Sequence, residues 1–355
     1  MSDGGETTAV RANARFDVAA LEAWMAASVA GFRGPLTVEQ FSGGQSNPTF
    51  KLTAPSGRYV MRRKPPGRVL KGAHAVDREA RVLQALARAG FPAPYVHALC
   101  TDDQVIGSWF YVMDMIDGRI FWDGSFPGVP VSEKAAYQDA MGATLAELHC
   151  LSPEMLGLSD YGRPGRYLQR QIERWSRQYR EDDLAGRTAD MDFLVDWLAA
   201  HAPDDEATAI VHGDYRVDNM IFHNSEPRVI AVLDWELSTL GHPVVDFTYN
   251  LMMYRVPSVI PWGLADRNLS ALGLPSEADY VAAYCRRTGR KSIAHLDTYI
   301  VFNLFRLAAI IHGIKGRMLR GNAASADAGA MAPHMDVLAA TARRLAEGLG
   351  GRADD

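Results

Sequence analysis

The densest polar cluster set among apolar, strand-like runs lies between Ile210 and Glu236. It reads Ile210-Val211-His212-Gly213-Asp214-Tyr215-Arg216-Val217-Asp218-Asn219-Met220-Ile221-Phe222 and, past a turn at His223–Pro227, Arg228-Val229-Ile230-Ala231-Val232-Leu233-Asp234-Trp235-Glu236. Asp and Asn are unfavourable beside buried strands unless a task keeps them there. Phosphoryl transfer is such a task. Its transition state spreads charge over phosphate oxygens, so the protein mainly positions reactants and places Mg²⁺. Mg²⁺ takes hard oxygen ligands, with one or two carboxylates or amides supplied by the protein. A further carboxylate must orient the attacking hydroxyl and accept its proton. Asp214, Asn219 and Asp234 carry those groups. A hydrogen-bonded polar turn on a core hairpin would account for Asp218 or His223, but not for the whole set.

The pattern H-G-D-x-x-x-x-N, followed about twenty residues after its aspartate by L-D-W-E, resembles the aminoglycoside phosphotransferase-like family, relatives of the protein kinases. The resemblance implies that Asp214 is the catalytic base, that Asn219 and Asp234 bind Mg²⁺, and that His212 holds the loop. It implies ATP as donor, with GTP an alternative. A dinuclear phosphoesterase fits poorly. There is no D-x-H, Asp214 and Asp218 are one residue too far apart for G-D-x-x-D, and Gly321-Asn322 is followed by alanine. A non-catalytic nucleotide-binding pseudokinase is expected to lack the base or a ligand, and all three are present here.

These residues need a scaffold, and the flanking sequence supplies one. Helical spacing of Val18, Leu21, Met25 and Val29 is followed by strand-like runs at 36–41, 49–52 and 58–62. A helix is expected from about His74 to Ala89, then strands near 96–100 and 109–115. Beyond Asp117-Gly118 the pattern is mainly helical. This order predicts an α+β, two-lobed, protein-kinase-like fold: a disordered tail at 1–15, a β-rich lobe with one helix at 16–115, and a larger helical lobe at 116–350. Gly43-Gly44 lets backbone amides approach phosphates closely, because glycine has no Cβ. F-S-G-G-Q-S-N-P-T-F resembles the family's phosphate loop, which assigns Gly43, Gly44, Ser46 and Asn47 to the nucleotide. By the same resemblance Arg62 would stand in the place of the kinase phosphate-binding lysine. Stepping about 100° per residue sets Glu79 at the edge of its helix's apolar stripe, where an inward carboxylate wants a cation, and Arg62 is the candidate. Phe110–Gly118 resembles the family's hinge, in which backbone groups of Asp114 and Ile116 would meet the adenine edge.

The bulk numbers exclude little. Apolar residues are 48%, charged residues 22% and the net charge −5, so no positive field points to nucleic acid or an anionic membrane. Cys100, Cys150 and Cys285 lie far apart and form no metal or disulfide pattern. No secretory signal is recognised, and the apolar run 301–314 is interrupted by Asn303, Arg306 and His312, so a cytoplasmic protein is expected. His149 reads as a packed core histidine, and Asp246 as a brace for the catalytic segment. Arg170, Arg174, Arg177 and Arg180 read as a solvated basic edge.

Three stretches carry a finer resemblance: G-G-Q-S-N-P-T-F; R-R-K-P-P-G with H-A-V-D-R-E; and F-R-L-A-A-I-I-H-G-I-K-G-R with G-N-A. They are similar to the kinase-like domain attached to some acyl-CoA dehydrogenases. That implies a small-molecule acceptor of the hydroxyacyl-CoA type, with an aminoglycoside or a choline-like alcohol as alternatives. On one helix over 302–320, Leu304, Leu307, Ile311, Ile314 and Met318 form the core face. Arg306, Arg317 and Arg320, with Gly313 among them, fall on another edge. That edge reads either as a solvated basic edge or, with Gly313 permitting close approach, as a face toward the acceptor that binds an anionic group.

Overall fold

The computed structural model describes residues 7–42, 47–65, 75–204, 207–320 and 328–350. Contacts divide the chain into two compact units. The first takes Met1–Ile120, Leu156–Leu158 and Asn219–Ser238; the second takes Phe121–Met155, Ser159–Asp218 and Thr239–Asp355.

The chain begins with β1 (Thr7–Thr8), α1 (Val18–Ser28), β2 (Thr37–Phe41), β3 (Thr49–Ala54), β4 (Gly57–Arg63), α2 (Val76–Arg88), β5 (Val96–Cys100), α3 (Asp103–Ile106) and β6 (Phe110–Asp114). The second unit starts with α4 (Val131–Cys150), α5 (Tyr167–Glu181), α6 (Ala189–His201) and β7 (Ala209–Val211). The chain returns to the first unit for a hairpin, β8 (Met220–Phe222) and β9 (Val229–Val232). It ends in the second with β10 (Thr239–Gly241), α7 (Pro243–Leu251), α8 (Glu277–Arg287), α9 (Leu296–Leu319) and α10 (Ala328–Gly350).

In the first unit an antiparallel sheet runs in the order β1-β2-β3-β4-β6-β5. Phe50 and Leu52, two residues apart on β3, are both fully buried, as the two-residue period of a strand requires. Asp17 caps α1 by accepting from the amides of Ala19 and Ala20.

Two expectations about boundaries change. Within the stretch expected to be a disordered tail, Thr7–Thr8 pair with Phe41 and Gln40, the Thr7 hydroxyl donates to Glu39 at 2.7 Å, and Ala14 is buried. Small polar residues look disordered by composition, yet β2 offers them an open sheet edge. Residues 219–238, assigned from sequence to the helical lobe, group with the first unit. Val232 N donates to Pro92 O at 2.9 Å, Arg119 and Phe222 exchange backbone hydrogen bonds at 2.8 Å, and the Trp235 ring meets Phe91 edge-on.

In the second unit α9 is buried nearly all round rather than along one face. Each polar residue that interrupts it makes at least one hydrogen bond, though Asn303 Oδ1, Arg306 Nε and His312 Nδ1 are buried without one among the described residues. Asn303 donates to Val245 O at 2.8 Å, Arg306 to Gly213 O at 2.6 Å, and His312 Nε2 lies 2.6 Å from Gly186 O. Among the described helices only α9 has the length and apolarity of a membrane span, and 83% of that stretch is buried inside the protein.

Candidate active site

The loop His212-Gly213-Asp214 leaves β7, which is fully buried and pairs with β10. Gly213 has φ +83°, a left-handed conformation that glycine adopts without a Cβ penalty. Asp246 on α7 holds the loop from within the core: it accepts from His212 N at 2.7 Å and from Gly213 N at 2.8 Å. His149 Nε2 lies 3.2 Å from the same carboxylate and its Nδ1 2.8 Å from the Tyr284 hydroxyl. Burial works to raise the Asp246 pKa, but the bonds from His149 and the His212 amide hold it below the ordinary range. His149 and Asp246 are thus a buried brace. The Asp214 amide donates to His212 Nδ1 at 3.2 Å.

The Asp214 carboxylate accepts a short 2.5 Å hydrogen bond from Tyr249 and lies 3.4 Å from Arg216 Nε. Arg216 also reaches Asp218 at 2.9 Å. Burial pushes the Asp214 pKa up; Arg216, Tyr249, His212 and Arg306 outweigh it and leave it below the usual carboxylate value.

The expected anion-binding edge does not assemble. Arg306 is buried and donates to Gly213 O. Arg320 forms a bidentate pair with Asp182, both contacts at 2.7 Å. Arg317 is exposed. Gly313 permits close approach, but of Gln178 on α5: a Cβ there would stand 2.6 Å from Gln178 Nε2. A neighbouring helix, not a ligand, occupies that space.

In the first unit, alternation along β4 sends Arg62 and Arg63 to opposite faces. Arg63 is buried against Ser108 and the Ile106 carbonyl. Arg62 meets three carboxylates: Glu79 at 2.9 Å, Asp234 at 2.6 Å and Glu236 at 3.2 Å. Burial alone would weaken its hold on the proton, but Asp234, Glu79 and Glu236 drive its pKa well above the ordinary arginine value. Glu79 also accepts from Asn47 Nδ2 at 2.8 Å and from the Tyr111 hydroxyl at 3.1 Å. The helix-phase argument therefore brings Arg62 and Glu79 together.

Glu79 is almost fully buried, and that burial pushes its carboxyl up from 4.5 to about 7 against the pull of Arg62. A carboxyl that binds its proton more readily folded than unfolded makes stability fall as pH rises from about 4.5 to about 7. Glu79→Gln is expected to remove that slope, a change on the order of 1–3 kcal/mol between about pH 5 and pH 8. Urea unfolding of both proteins at each pH measures it. An identical slope in the variant would mean that Glu79 stays ionised beside Arg62.

The hairpin β8–β9 sets the other two acid and amide groups. Leu233 N donates to Asn219 O at 2.8 Å, so Asn219 and Asp234 emerge at the same end of the hairpin. Asp234 adopts φ +62°, uncommon for a residue with a side chain and a form of strain that collects at functional sites. An amide oxygen and a partly exposed carboxylate, 35% accessible, are a donor set that fits Mg²⁺. Asp114 ends β6, its side chain 2.7 Å from His97 Nε2, and Ile116 follows half-buried in irregular chain. Gly43, Gly44 and Ser46 lie outside the described residues.

Four side chains escaped the sequence reading. Arg216 and Glu236 stand two residues past Asp214 and Asp234, so the motifs already contained them. Tyr111 faces Glu79 through the sheet. Tyr249 is thirty-five residues from Asp214, and no local signal marks it.

A family model described as the phosphotransferase enzyme family matches residues 37–288. A crystal structure from Ralstonia eutropha, provisionally described as an aminoglycoside phosphotransferase, is 46% identical, covers 94% of this chain and 99% of its own, and superimposes with a TM-score of 0.85. Acyl-CoA dehydrogenase family member 11 of Gallus gallus is 43% identical over 90% of this chain, which is 42% of that protein. This chain spans less than half the length of the curated relatives it matches, between 28% and 45%. A choline kinase from Cryptosporidium parvum, 10% identical, matches 95% of this chain and 97% of its own at a TM-score of 0.62, a likeness of fold. On the breadth of the family match and the near-complete overlap with a solved relative, the chain belongs to the phosphotransferase enzyme family, with the α+β, two-lobed fold of the kinase-like enzymes.

Proposed function

We propose that the protein transfers the terminal phosphoryl group of Mg²⁺-ATP to the hydroxyl of a small molecule, with Asp214 as the base. The observation that carries this is an ionised carboxylate held in a fixed orientation by Tyr249 and Arg216. Bound Mg²⁺-nucleotide would supply the phosphoryl group and neutralise its charge. Asn219 and Asp234 are the residues to hold the metal; Arg62, oriented by Glu79, is the residue to meet the phosphates. Asn47 belongs to the same group through its bond to Glu79. Asp214 orients the acceptor hydroxyl and takes its proton. A carboxylate held below its ordinary pKa is a weak base, which suits a loose transition state in which orientation matters more than early proton removal.

The acceptor reading rests on the likeness to acyl-CoA dehydrogenase family members. Beside Asp214 the second unit has a small recess of about 10 Å³, room for about one water, lined by Arg216, Val217, Tyr249, Met252, Met253 and Trp262, with Gly124 and Asn250. Two of its polar walls are the side chains that hold Asp214, and the rest is largely apolar. The likeness to those relatives supports an acceptor of the hydroxyacyl-CoA type.

The test is ATP consumption with Mg²⁺ against a panel of hydroxyacyl-CoA thioesters, kanamycin and choline. A thioester is expected to lead in kcat/KM by at least about tenfold. Kanamycin or choline as best acceptor would overturn the acceptor class but keep the enzyme. Nucleotide binding with no turnover on any acceptor, or on water, would favour a pseudokinase.

A further inference from the structure

Arg306 is 4% exposed, and among the described residues no carboxylate lies within ion-pair distance of it. A buried guanidinium without a contacting acid is costly, and an apolar side chain of similar volume would stabilise a core helix more simply. What it does touch is specific. Nη2 donates to Gly213 O at 2.6 Å. Its guanidinium carbon stands 5.2 Å from the centre of the Tyr249 ring and 6.0 Å from that of Trp175, within cation–π range of both.

The Gly213–Asp214 peptide is the backbone unit that aims Asp214. Gly213, at φ +83°, has no Cβ to resist rotation of that peptide, so the same freedom that permits the turn leaves its orientation cheap to change. Its N–H side is held by His212 Nδ1 and its carbonyl side by Arg306. The carboxylate that follows is held by the hydroxyl of Tyr249, whose ring Arg306 also touches. One guanidinium therefore bears on both the main chain and the side chain of Asp214.

We propose that Arg306 is a positioning residue for Asp214, fixing the Gly213–Asp214 peptide and seating the tyrosine that holds the carboxylate. The proposal builds on the reading of Asp214 as base. It predicts that the position of the loop and the turnover number change together, while KM values do not, since Arg306 acts through Asp214.

The experiment pairs crystal structures with kinetics for Arg306→Met, which removes donor and charge, and Arg306→Gln, which keeps a donor and loses the charge. The probes are Mg²⁺-ATP with water as acceptor and Mg²⁺-ATP with 3-hydroxybutyryl-CoA. In Arg306→Met, Gly213 O and the Asp214 carboxylate are expected to move by about 1 Å or more and kcat to fall about 10²-fold, with the ATP KM within about threefold of the parent. In Arg306→Gln the loop is expected to stay and kcat to recover to within about tenfold. A displaced loop with full turnover, a loop in place with kcat still down 10²-fold, or a loss confined to KM overturns the proposal. Should Arg306→Met not fold, Arg306→Gln decides by the same pairing of loop position and kcat. A parent protein inert on both probes would count against the hydroxyacyl-CoA acceptor instead, kinetics would then use the best acceptor of the panel, and the crystal structures would still decide whether Arg306 sets the loop.

Discussion

Asp214→Asn is expected to lower turnover by about 10²–10⁴-fold while leaving folding and nucleotide affinity close to those of the parent. The asparagine side chain is isosteric, and its Oδ1 can still accept from Tyr249, so the 2.5 Å hydrogen bond that fixes the side chain has a replacement. What disappears is the negative charge proposed to take the hydroxyl proton. Steady-state kcat with the best acceptor, together with calorimetric titration of Mg²⁺-nucleotide, separates the two. Normal turnover in Asp214→Asn would end the assignment. The pH profile gives a second reading. Because Arg216, Tyr249, His212 and Arg306 hold the Asp214 pKa below the ordinary carboxylate value, it remains ionised through neutral and mildly acidic pH. An acid limb belonging to Asp214 therefore lies lower than that of an ordinary aspartate.

Arg62→Ala should produce the largest loss in nucleotide binding, and a loss of stability with it. Removing the guanidinium leaves Glu79, Asp234 and Glu236 facing one another without a cation, with Glu79 almost fully buried. Breaking a buried pair from one side costs about 3–5 kcal/mol, less whatever is recovered when Glu79 takes up a proton. The nucleotide Kd is expected to rise about 10²-fold or more, since a phosphate-directed guanidinium is a charge-assisted donor. The double variant Arg62→Ala/Glu79→Ala is expected to fall short of the sum of the single losses by about 0.5–3 kcal/mol, because removing Glu79 also removes the stranded charge. Denaturant unfolding and titration calorimetry on the four proteins of this cycle measure both quantities. Full additivity would mean that the two side chains do not act as a pair.

The sequence by itself determined those parts of the site that are contiguous or periodic. H-G-D-x-x-x-x-N and L-D-W-E lie on single loops beside buried strands, where misplaced polar groups are costly enough to stand out. Arg62 was placed by the family resemblance and Glu79 paired with it from helix phase, because the helical period fixes which way a side chain leaves its own element. Strands β2 to β6 and helices α1 and α2 of the first unit emerged from such periods; β1 and α3 did not. Contacts made by elements far apart in sequence were decided only in the tertiary structure. Tyr249 reaches Asp214 because α7 packs beside the His212–Asp214 loop, and nothing near residue 249 announces that. Thr7–Thr8 are ordered because β2 has an edge to pair with, not because of their own composition. Residues 219–238 join the first unit through Pro92 and Arg119. The clearest divergence is on α9. A helical wheel groups Arg306, Arg317 and Arg320, but it knows only the angles of one helix. Which neighbour covers each angle depends on packing: Gly213 takes Arg306, Asp182 takes Arg320, and Gln178 fills the space at Gly313. Periodicity specifies the direction of a side chain; burial and partner are properties of the assembled fold.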